Sequence, residues 1–350
     1  MITTSEELAA LLTEIAPVDR LAVDTEADSL HCYFEKLCLI QISIPGVDVL
    51  VDPLAGFPIE PLCEEFAKHE LVIHGADYDL RLLERAGHLR AGRVFDTMIA
   101  ARLTGRTEFS LAALLSASFN VTLVKQSQKA NWARRPLSTQ MLDYAVNDTR
   151  YLLALAHQLE EELRALGRWE WFEQSCRKAI VSAAATRVRD VANAWRISGS
   201  SELDGRAAAL LRAFWTWRDE EARSVDRPAF HILHNEQLIV CARSFDTGQP
   251  IVPQHLAGTR RERFLNAAAG AMALAESEWP VPIRRVRSRP TGEQQRLYDR
   301  LKTIRDRVAQ NLKLDPSIIA PKAALEAVSS DINLASERLM PWQRELLEIQ

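Results

Sequence analysis

The sequence is poor in cysteine, and the few cysteines present form no recognisable pattern. There are five, an odd number, and no two of them have the two-residue spacing that is common in zinc sites. This usage argues against a disulfide framework or a zinc cage and favours a reduced, cytoplasmic location. They are Cys32, Cys38, Cys63, Cys176 and Cys241.

Long apolar runs are also missing. No stretch of about 18 apolar residues occurs, so we predict no membrane span. The first residues, MITTSEELAALLTEI, carry acidic side chains where a secretory signal needs basic ones. With 47% hydrophobic and 26% charged residues, the 350-residue chain has an ordinary globular composition, and its length predicts two or three domains.

A net excess of basic charge, which is typical of nucleic-acid-binding proteins, is absent as well. The formal net charge is −4. Residues 281–320 nevertheless contain ten Lys or Arg and four Asp or Glu, a local net charge of +6. This segment is interpreted either as a nucleic-acid contact or as a linker followed by a solvated helix face.

Hydrophobic periodicity predicts an α/β region followed by a helical region. The predicted strands are Leu21–Glu26, Leu37–Ile44, Val47–Pro53 and Glu70–Ala76. A first helix is predicted to begin near Thr4, whose spacing to Glu7 is that of a capping box. Further helices are predicted at 61–69, 78–86, 96–104, 110–119 and 138–166. Strands first, with helices interleaved later, favour a mixed sheet flanked by helices. Beyond Trp169 the patterns are almost entirely helical.

The most informative motif is LAVDTE, in which Asp24 and Glu26 lie two residues apart in an apolar strand. Period-two geometry places both carboxylates on one face of the strand. Like charges in that position are costly unless a cation lies between them, and hard divalent cations prefer carboxylate oxygens. The alternative is a strand face that is simply solvated.

Two further motifs carry acids on helices. In LVIHGADYDL a strand ends at His74, and Asp77 and Asp79 fall in the first turn of the next helix, where acids commonly cap helices; for Asp77 we favour that capping role. In MLDYAVND, Tyr144 and Asp148 are four residues apart and therefore neighbours on one helix face, although a structural tyrosine is the alternative.

Together, these motifs in this order resemble the DEDD superfamily of exonucleases, in particular the DEDDy subclass and the ribonuclease D family. The resemblance extends over about residues 21–166, including LIQIS, VDP, FDT and KQSQKANWARRPLS. It implies a ribonuclease H-like exonuclease domain and two divalent ions, Mg²⁺ or Mn²⁺, bound by Asp24, Glu26, Asp79 and Asp148, with Tyr144 orienting the attacking water. A 3′–5′ exoribonuclease that releases nucleoside 5′-monophosphates is then expected.

The helical part is similar to the HRDC family of nucleic-acid-binding bundles. Trp217-Arg218 and Pro228–Leu233 carry this likeness, and a weaker second copy begins near Gln294. The aromatic residues Phe214, Trp215 and Trp217 are interpreted as core. The expected domains are an exonuclease domain (1–168), a connecting helix or linker (169–200), a first HRDC-like domain (201–280) and a divergent second one (281–350).

The expected partner is RNA with a free 3′ end, such as a tRNA precursor, bound by a monomer with no organic cofactor. A DNA exonuclease and a catalytically silent binding module are the alternatives, because the motif does not reveal the sugar that is recognised. Several residues ahead of the third motif are candidates for RNA contact through phosphate pairing or base stacking, Trp132 alternatively filling the core. These are Lys125, Gln128, Trp132, Arg134 and Arg135. Asp96 is expected to cap a helix.

Overall fold

The computed structural model describes residues 1–123, 127–185, 190–282 and 289–349. Contacts between residues divide the chain into two units. The first comprises Met1–Ala27, Leu37–Thr186 and Ser288–Gln350, and the second comprises Asp28–Lys36 and Arg187–Arg287. Among the described residues, none of the helices combines the length and hydropathy that a bilayer-spanning segment needs. All five cysteines are buried free thiols.

A mixed sheet forms the centre of the first unit, as predicted, and it has five strands where four were predicted. Its strands are β1 (Arg20–Ala27), β2 (Leu37–Ile44), β3 (Val47–Val51), β4 (Glu70–Ile73) and β5 (Arg93–Asp96). They are arranged in the order β3-β2-β1-β4-β5. β1 pairs antiparallel with β2 and parallel with β4, so it occupies the middle of the sheet. The four-residue strand β5 was not predicted, because so short a segment shows no clear alternation.

The helices follow the predicted pattern closely. In chain order they are α1 (Ser5–Ile15), α2 (Glu60–Phe66), α3 (Asp77–Gly87), α4 (Thr97–Leu103), α5 (Leu111–Phe119), α6 (Thr139–Arg150), α7 (Leu152–Ala165), α8 (Trp169–Ala184), α9 (Gly205–Ser224), α10 (Ala229–Ile232), α11 (Asn235–Asp246), α12 (Gly258–Met272), α13 (Gly292–Leu312), α14 (Pro316–Ile319), α15 (Lys322–Ser330), α16 (Ala335–Arg338) and α17 (Pro341–Leu346). The capping box of Thr4 and Glu7 is present. The single helix predicted over 138–166 is two helices that meet at Tyr151.

Alternation along β1 directs its side chains into different cores. Leu21 and Val23 belong to the apolar layer that contains the buried residues of α1, α2 and α3. Ala22 belongs to the opposite layer, with α4, α7 and α8. Because side chains two residues apart share a face, Asp24 and Glu26 follow Ala22 onto that second face. The edge of the same face is covered by α6, whose Ala145 is buried with Leu39 and Leu50.

The C-terminal helices belong to the unit that contains the sheet. The Trp342 ring stacks on that of Trp171, with centroids 5.0 Å apart, and is part of the same core as α7 and α8. The Arg168 guanidinium donates to the carbonyl oxygens of Leu103 and Leu312. Residues 288–350 are thus grouped with the sheet, whereas a separate helical domain was predicted for 281–350. The predicted domain limits remain a proposal.

The second unit has its own aromatic core. Phe214 stacks on Phe264 with centroids 4.4 Å apart, and Trp217 contacts Phe264 edge-on. Phe214 and Trp217 are buried and Trp215 is partly buried, so the interpretation of these rings as core is confirmed. The buried Glu221 carboxylate accepts hydrogen bonds from Arg263 and from Arg260.

Asp96 connects β5 to the turn that follows β4. Its carboxylate caps α4 by accepting from the backbone N–H groups of Met98 and Ile99, which confirms the predicted cap. It also accepts from the N–H groups of Gly75 and Ala76, at 3.0 and 2.9 Å. Since α3 begins at the next residue, Asp96 fixes the start of the helix that carries Asp79.

Asp96→Ala should lower the free energy of unfolding by about 3 kcal/mol, because it removes a helix cap and leaves buried N–H groups without an acceptor. Chemical denaturation measures the change. Asp19→Ala is the control: Asp19 also pairs with a residue of β5, Arg93, but its side chain is 73% exposed, so the loss of stability should be much smaller. Equal losses of stability in the two variants would contradict the role assigned to Asp96 in holding the starts of α3 and α4.

Candidate active site

Three carboxylates from two elements converge on one face of the sheet. β1 contributes Asp24 and Glu26, and α6 contributes Asp148. One oxygen atom from each lies within 4.8 Å of the others, close enough for a single ion to contact all three. Residues 124 positions apart in sequence therefore meet because α6 packs across β1 and β2.

Asp79 joins the same region from the first turn of α3. It is 6% exposed, and its carboxylate accepts a 2.5 Å hydrogen bond from the Thr25 hydroxyl. Gly75 makes the preceding turn possible, because its φ is +78° and a Cβ atom there would meet the Met98 side chain. Thr25 lies between the two acids of β1, so this strand both supplies carboxylates and orients the one on α3.

Tyr144 lies one helical turn before Asp148 and acts on it directly. Its phenol partly offsets the raised pKa of the Asp148 carboxyl beside it. The Trp132 ring packs beside the Tyr144 ring, with centroids 6.0 Å apart, and restricts its position. The predicted neighbour relation of Tyr144 and Asp148 on one helix face is therefore present in the structure.

Burial raises the pKa values of all four carboxylates, and repulsion within the cluster adds to the shifts of Asp24 and Glu26. Burial raises the pKa of Asp24 well above its ordinary value, and the charges of Asp79, Asp148 and Glu26 raise it further. Burial, together with Asp148 and Asp79, raises the pKa of Glu26 to about 9. Burial also raises the pKa of Asp148 to about 7 and that of Asp79 to about 6.

The pKa of the tyrosine beside them is also raised. Burial, followed by the charge of Asp148, raises the pKa of Tyr144 above that of a free phenol. The charged groups that shift the pKa of Asp24 are all carboxylates. Either protons or cations must therefore offset the charge of the cluster, and clustered carboxylate oxygens are the ligands that hard divalent cations prefer. The residues present fit a divalent-metal centre.

The cluster opens into a groove of about 480 Å³. All five predicted catalytic residues line it, together with side chains from the turn after β4, the start of α5 and the segment before α6. Further lining residues are Thr25, His74, Gly75, Tyr78, Ser110, Leu111, Ala112, Leu123 and Gln128. The groove is accessible from solvent, so a chain terminus can approach the carboxylates.

The candidate RNA-contact residues differ in where the structure places them. Gln128 is exposed and lines the groove. Arg134 is exposed, and Lys125 lies outside the described residues. For Trp132 a base-stacking role is wrong, because the ring is 1% exposed and packs in the core formed with β2 and α6.

Two further expectations need correction. Arg135 does not point to a ligand: its guanidinium forms two hydrogen bonds with Asp52 and one with the carbonyl oxygen of Cys38, which hold the loop before α6 against the sheet. Asp77 does not cap α3. Its carboxylate pairs with Arg81 one turn later, at 2.9 Å.

Comparisons with known proteins show which families the chain resembles. The family model for 3′-5′ exonucleases matches residues 1–164, and the model for the HRDC domain matches residues 207–245. Ribonuclease D of Jannaschia sp. is 31% identical over 345 residues, which cover 94% of this chain and 88% of that protein. Ribonuclease D of Desulfotalea psychrophila is 26% identical over 99% of this chain and 96% of that protein.

Solved structures share the fold over the whole chain. A crystal structure of a protein from Bifidobacterium adolescentis superposes with a TM-score of 0.86 at 25% identity, covering 99% of this chain and 94% of that one. The structure of Escherichia coli RNase D gives a TM-score of 0.73 at 23% identity, covering 99% and 98%.

Fold, carboxylate cluster and family model together define the class as a 3′–5′ exonuclease with an HRDC region. More narrowly, the chain belongs to the ribonuclease D family, and it is a 3′–5′ exoribonuclease. The fold class and the family that the motifs implied are thereby confirmed.

Without metal, the free energy of unfolding should decrease as the pH rises from about 5 to 9. The folded protein holds protons on these carboxyls at pH values where the unfolded chain has lost them, so this stabilisation is complete at low pH and is lost as the pH passes about 6, 7 and 9.

Asp148→Asn should make this decrease less steep and, at pH 8 in chelator, should stabilise the protein by on the order of 1–2 kcal/mol, since it removes one repelling charge. Denaturation at several pH values provides the measurement. Asp19→Asn, which alters an exposed carboxylate, should leave the slope unchanged. Identical slopes for the parent and Asp148→Asn would refute the repulsion.

Proposed function

We propose that Asp24, Glu26, Asp79 and Asp148 hold two divalent ions, Mg²⁺ or Mn²⁺, and that these residues with Tyr144 form the catalytic centre. The observation that supports this most directly is the convergence of three carboxylate oxygens within 4.8 Å, with Asp79 in the same groove. When bound, two such ions stabilise the attacking and leaving oxygens of an in-line displacement at phosphorus.

The residues of the chain have separate tasks in this proposal. The four carboxylates neutralise the ions and leave part of each coordination shell for the scissile phosphate. Thr25 fixes the orientation of Asp79 through its 2.5 Å hydrogen bond. Tyr144 orients the attacking water by hydrogen bonding. Its raised pKa keeps the phenol protonated near neutral pH, so it does not serve as the base.

The reaction removes one nucleotide at a time from a 3′-hydroxyl end. Water adds to the terminal phosphorus, and the bond from that phosphorus to the 3′ oxygen of the preceding nucleotide breaks. The products are a nucleoside 5′-monophosphate and an RNA that ends in a new 3′-hydroxyl. The open groove at the carboxylates is compatible with entry of a single-stranded end.

The substrate in this proposal is structured RNA with a free 3′ tail, such as a tRNA precursor, and the enzyme is a cytoplasmic monomer. Relatives named ribonuclease D cover almost the whole chain, and the match to the HRDC model at residues 207–245 adds a second region for nucleic-acid contact. Gln128, which lines the groove, and Arg134, which is exposed, are the described candidates for RNA contact.

Product analysis tests this function directly. A tRNA precursor and a DNA of the same sequence are incubated with Mg²⁺ or Mn²⁺ and, separately, with chelator. We expect 5′-monophosphates from the RNA only when metal is present. Asp24→Asn and Asp148→Asn should each reduce the rate by more than about 100-fold with little loss of stability, because each removes a ligand and keeps its shape.

Asp19→Asn serves as the matched control for these variants, since it changes an exposed carboxylate in the turn just before β1. Near-parental rates for Asp24→Asn would show that the centre is misassigned. Equal or faster digestion of DNA would redirect the proposal to a DNA exonuclease, and no digestion of either polymer in metal would leave a binding protein.

Tyr144→Phe should reduce kcat by about 10- to 100-fold, less than either Asn variant, and leave the affinity for metal nearly unchanged, because it misplaces the water without removing a ligand. Single-turnover rates at saturating Mn²⁺ measure the effect. A loss as large as that of Asp148→Asn would instead assign Tyr144 a role in metal binding.

A further inference from the structure

A glutamine on β2 is completely buried beside the carboxylate cluster without a hydrogen-bonding partner. Gln41 is 0% exposed, and neither its amide nitrogen nor its amide oxygen has a partner among the described residues. Native proteins pair nearly all buried polar groups, so an unpaired one calls for an explanation such as a catalytic role or a bound ion. β2 contains this amide in the middle of the sheet, where apolar residues predominate.

The register of the sheet shows which group Gln41 faces. In the antiparallel pairing of β1 and β2, Gln41 lies directly opposite Asp24. Side chains in such opposed positions lie on the same face, with Cβ atoms about 4.5–5.5 Å apart. On its other side Gln41 is opposite Leu50, which belongs to the apolar cluster beneath α6. Asp24 is therefore the polar neighbour across the strand.

Space filling does not account for an amide at this position. The residues of β2 that only pack, such as Leu39, Ile40 and Ile42, are apolar. The other buried polar side chain on this face, Ser43, has partners: its hydroxyl bonds to Asp48 at 2.6 Å and to Thr149 at 2.8 Å. Gln41 differs from all of them in being polar, buried and unpaired.

The chemistry of the pair is complementary. A glutamine amide nitrogen has two N–H donors, and an ionised carboxylate only accepts. The charged groups that shift the pKa of Asp24 are all carboxylates. A neutral donor on the neighbouring strand can therefore stabilise the ionised form of Asp24 without displacing a cation. A carboxylate that binds a cation through one oxygen keeps the other available for such a donor.

We propose that Gln41 is a positioning residue of the metal centre: when Asp24 binds an ion, the otherwise unpartnered amide nitrogen of Gln41 donates to the Asp24 carboxylate and holds that ligand in place. The inference rests on the proposed function, because Asp24 must be a ligand. Residues that support a metal ligand in this way typically change metal affinity or activity by about 10- to 100-fold when they are replaced.

The experiment measures Mn²⁺ binding to the full-length protein without RNA, from the electron paramagnetic resonance signal of free Mn²⁺. Gln41→Met keeps the length and volume of the side chain and removes its donors. We expect the concentration of Mn²⁺ for half-saturation to rise about 10- to 100-fold. The kcat at low Mn²⁺ should fall and recover at high Mn²⁺, while KM for RNA at saturating metal should stay the same.

Gln343→Met is the matched control, since Gln343 is a buried glutamine whose amide nitrogen does have a partner, the carbonyl oxygen of Ile318 at 2.8 Å. In chelator, Gln343→Met should lower the urea midpoint of unfolding and leave Mn²⁺ affinity unchanged. Gln41→Met should lower the Mn²⁺ affinity without lowering the urea midpoint. If Gln41→Met does not fold, Gln41→Leu provides the same test.

Asp24→Asn in the same titration separates the possible failures. If Asp24→Asn loses Mn²⁺ and Gln41→Met binds it within about twofold of the parent, the role of Gln41 is refuted and the metal centre stands. If Asp24→Asn also binds Mn²⁺ like the parent, the proposed centre itself is wrong. A lowered urea midpoint in Gln41→Met with unchanged Mn²⁺ affinity would make Gln41 a structural residue only.

Discussion

The burial of four carboxylates close to one another is the constraint on which the rest of the structure depends. Asp24, Glu26, Asp79 and Asp148 all have raised pKa values, and the main cause in each case is burial. Such a cluster does not assemble for its own stability, because each added charge raises the free energy of the folded state. It persists because the surrounding fold holds it, and because cations can offset its charge.

The surrounding fold holds each acid in place through different contacts. Asp24 and Glu26 are fixed by the register of the central strand β1, which is paired on both sides. Asp79 is held by Thr25, and the start of its helix is held by Asp96. The helix that carries Asp148 is connected to β2 through the hydrogen bond between Thr149 and Ser43. Loss of one of these contacts displaces one ligand. We therefore expect the contacts to matter more for catalysis than for overall stability.

Local patterns were sufficient to predict four of the five strands, most helices and the order of the acidic motifs. Asp24 and Glu26 were recognised because alternation in a strand is a property of neighbouring residues. Burial was harder to predict, because it depends on partners far away in sequence. Trp132 was a candidate for base stacking, but it is buried in the core that α6 forms with the sheet. Arg135 pairs with Asp52, which lies 83 residues earlier in the sequence. Gln41 lay within a recognisable segment, yet its lack of a partner is visible only in three dimensions.

A crystal structure of the protein soaked in Mn²⁺, with anomalous data collected at the manganese edge, tests the central claim most directly. The account predicts two anomalous peaks about 3.5–4 Å apart, in contact with the carboxylate oxygens of Asp24, Glu26, Asp79 and Asp148. An absence of peaks at these four residues when Mn²⁺ supports activity, or peaks bound only elsewhere on the chain, would contradict it.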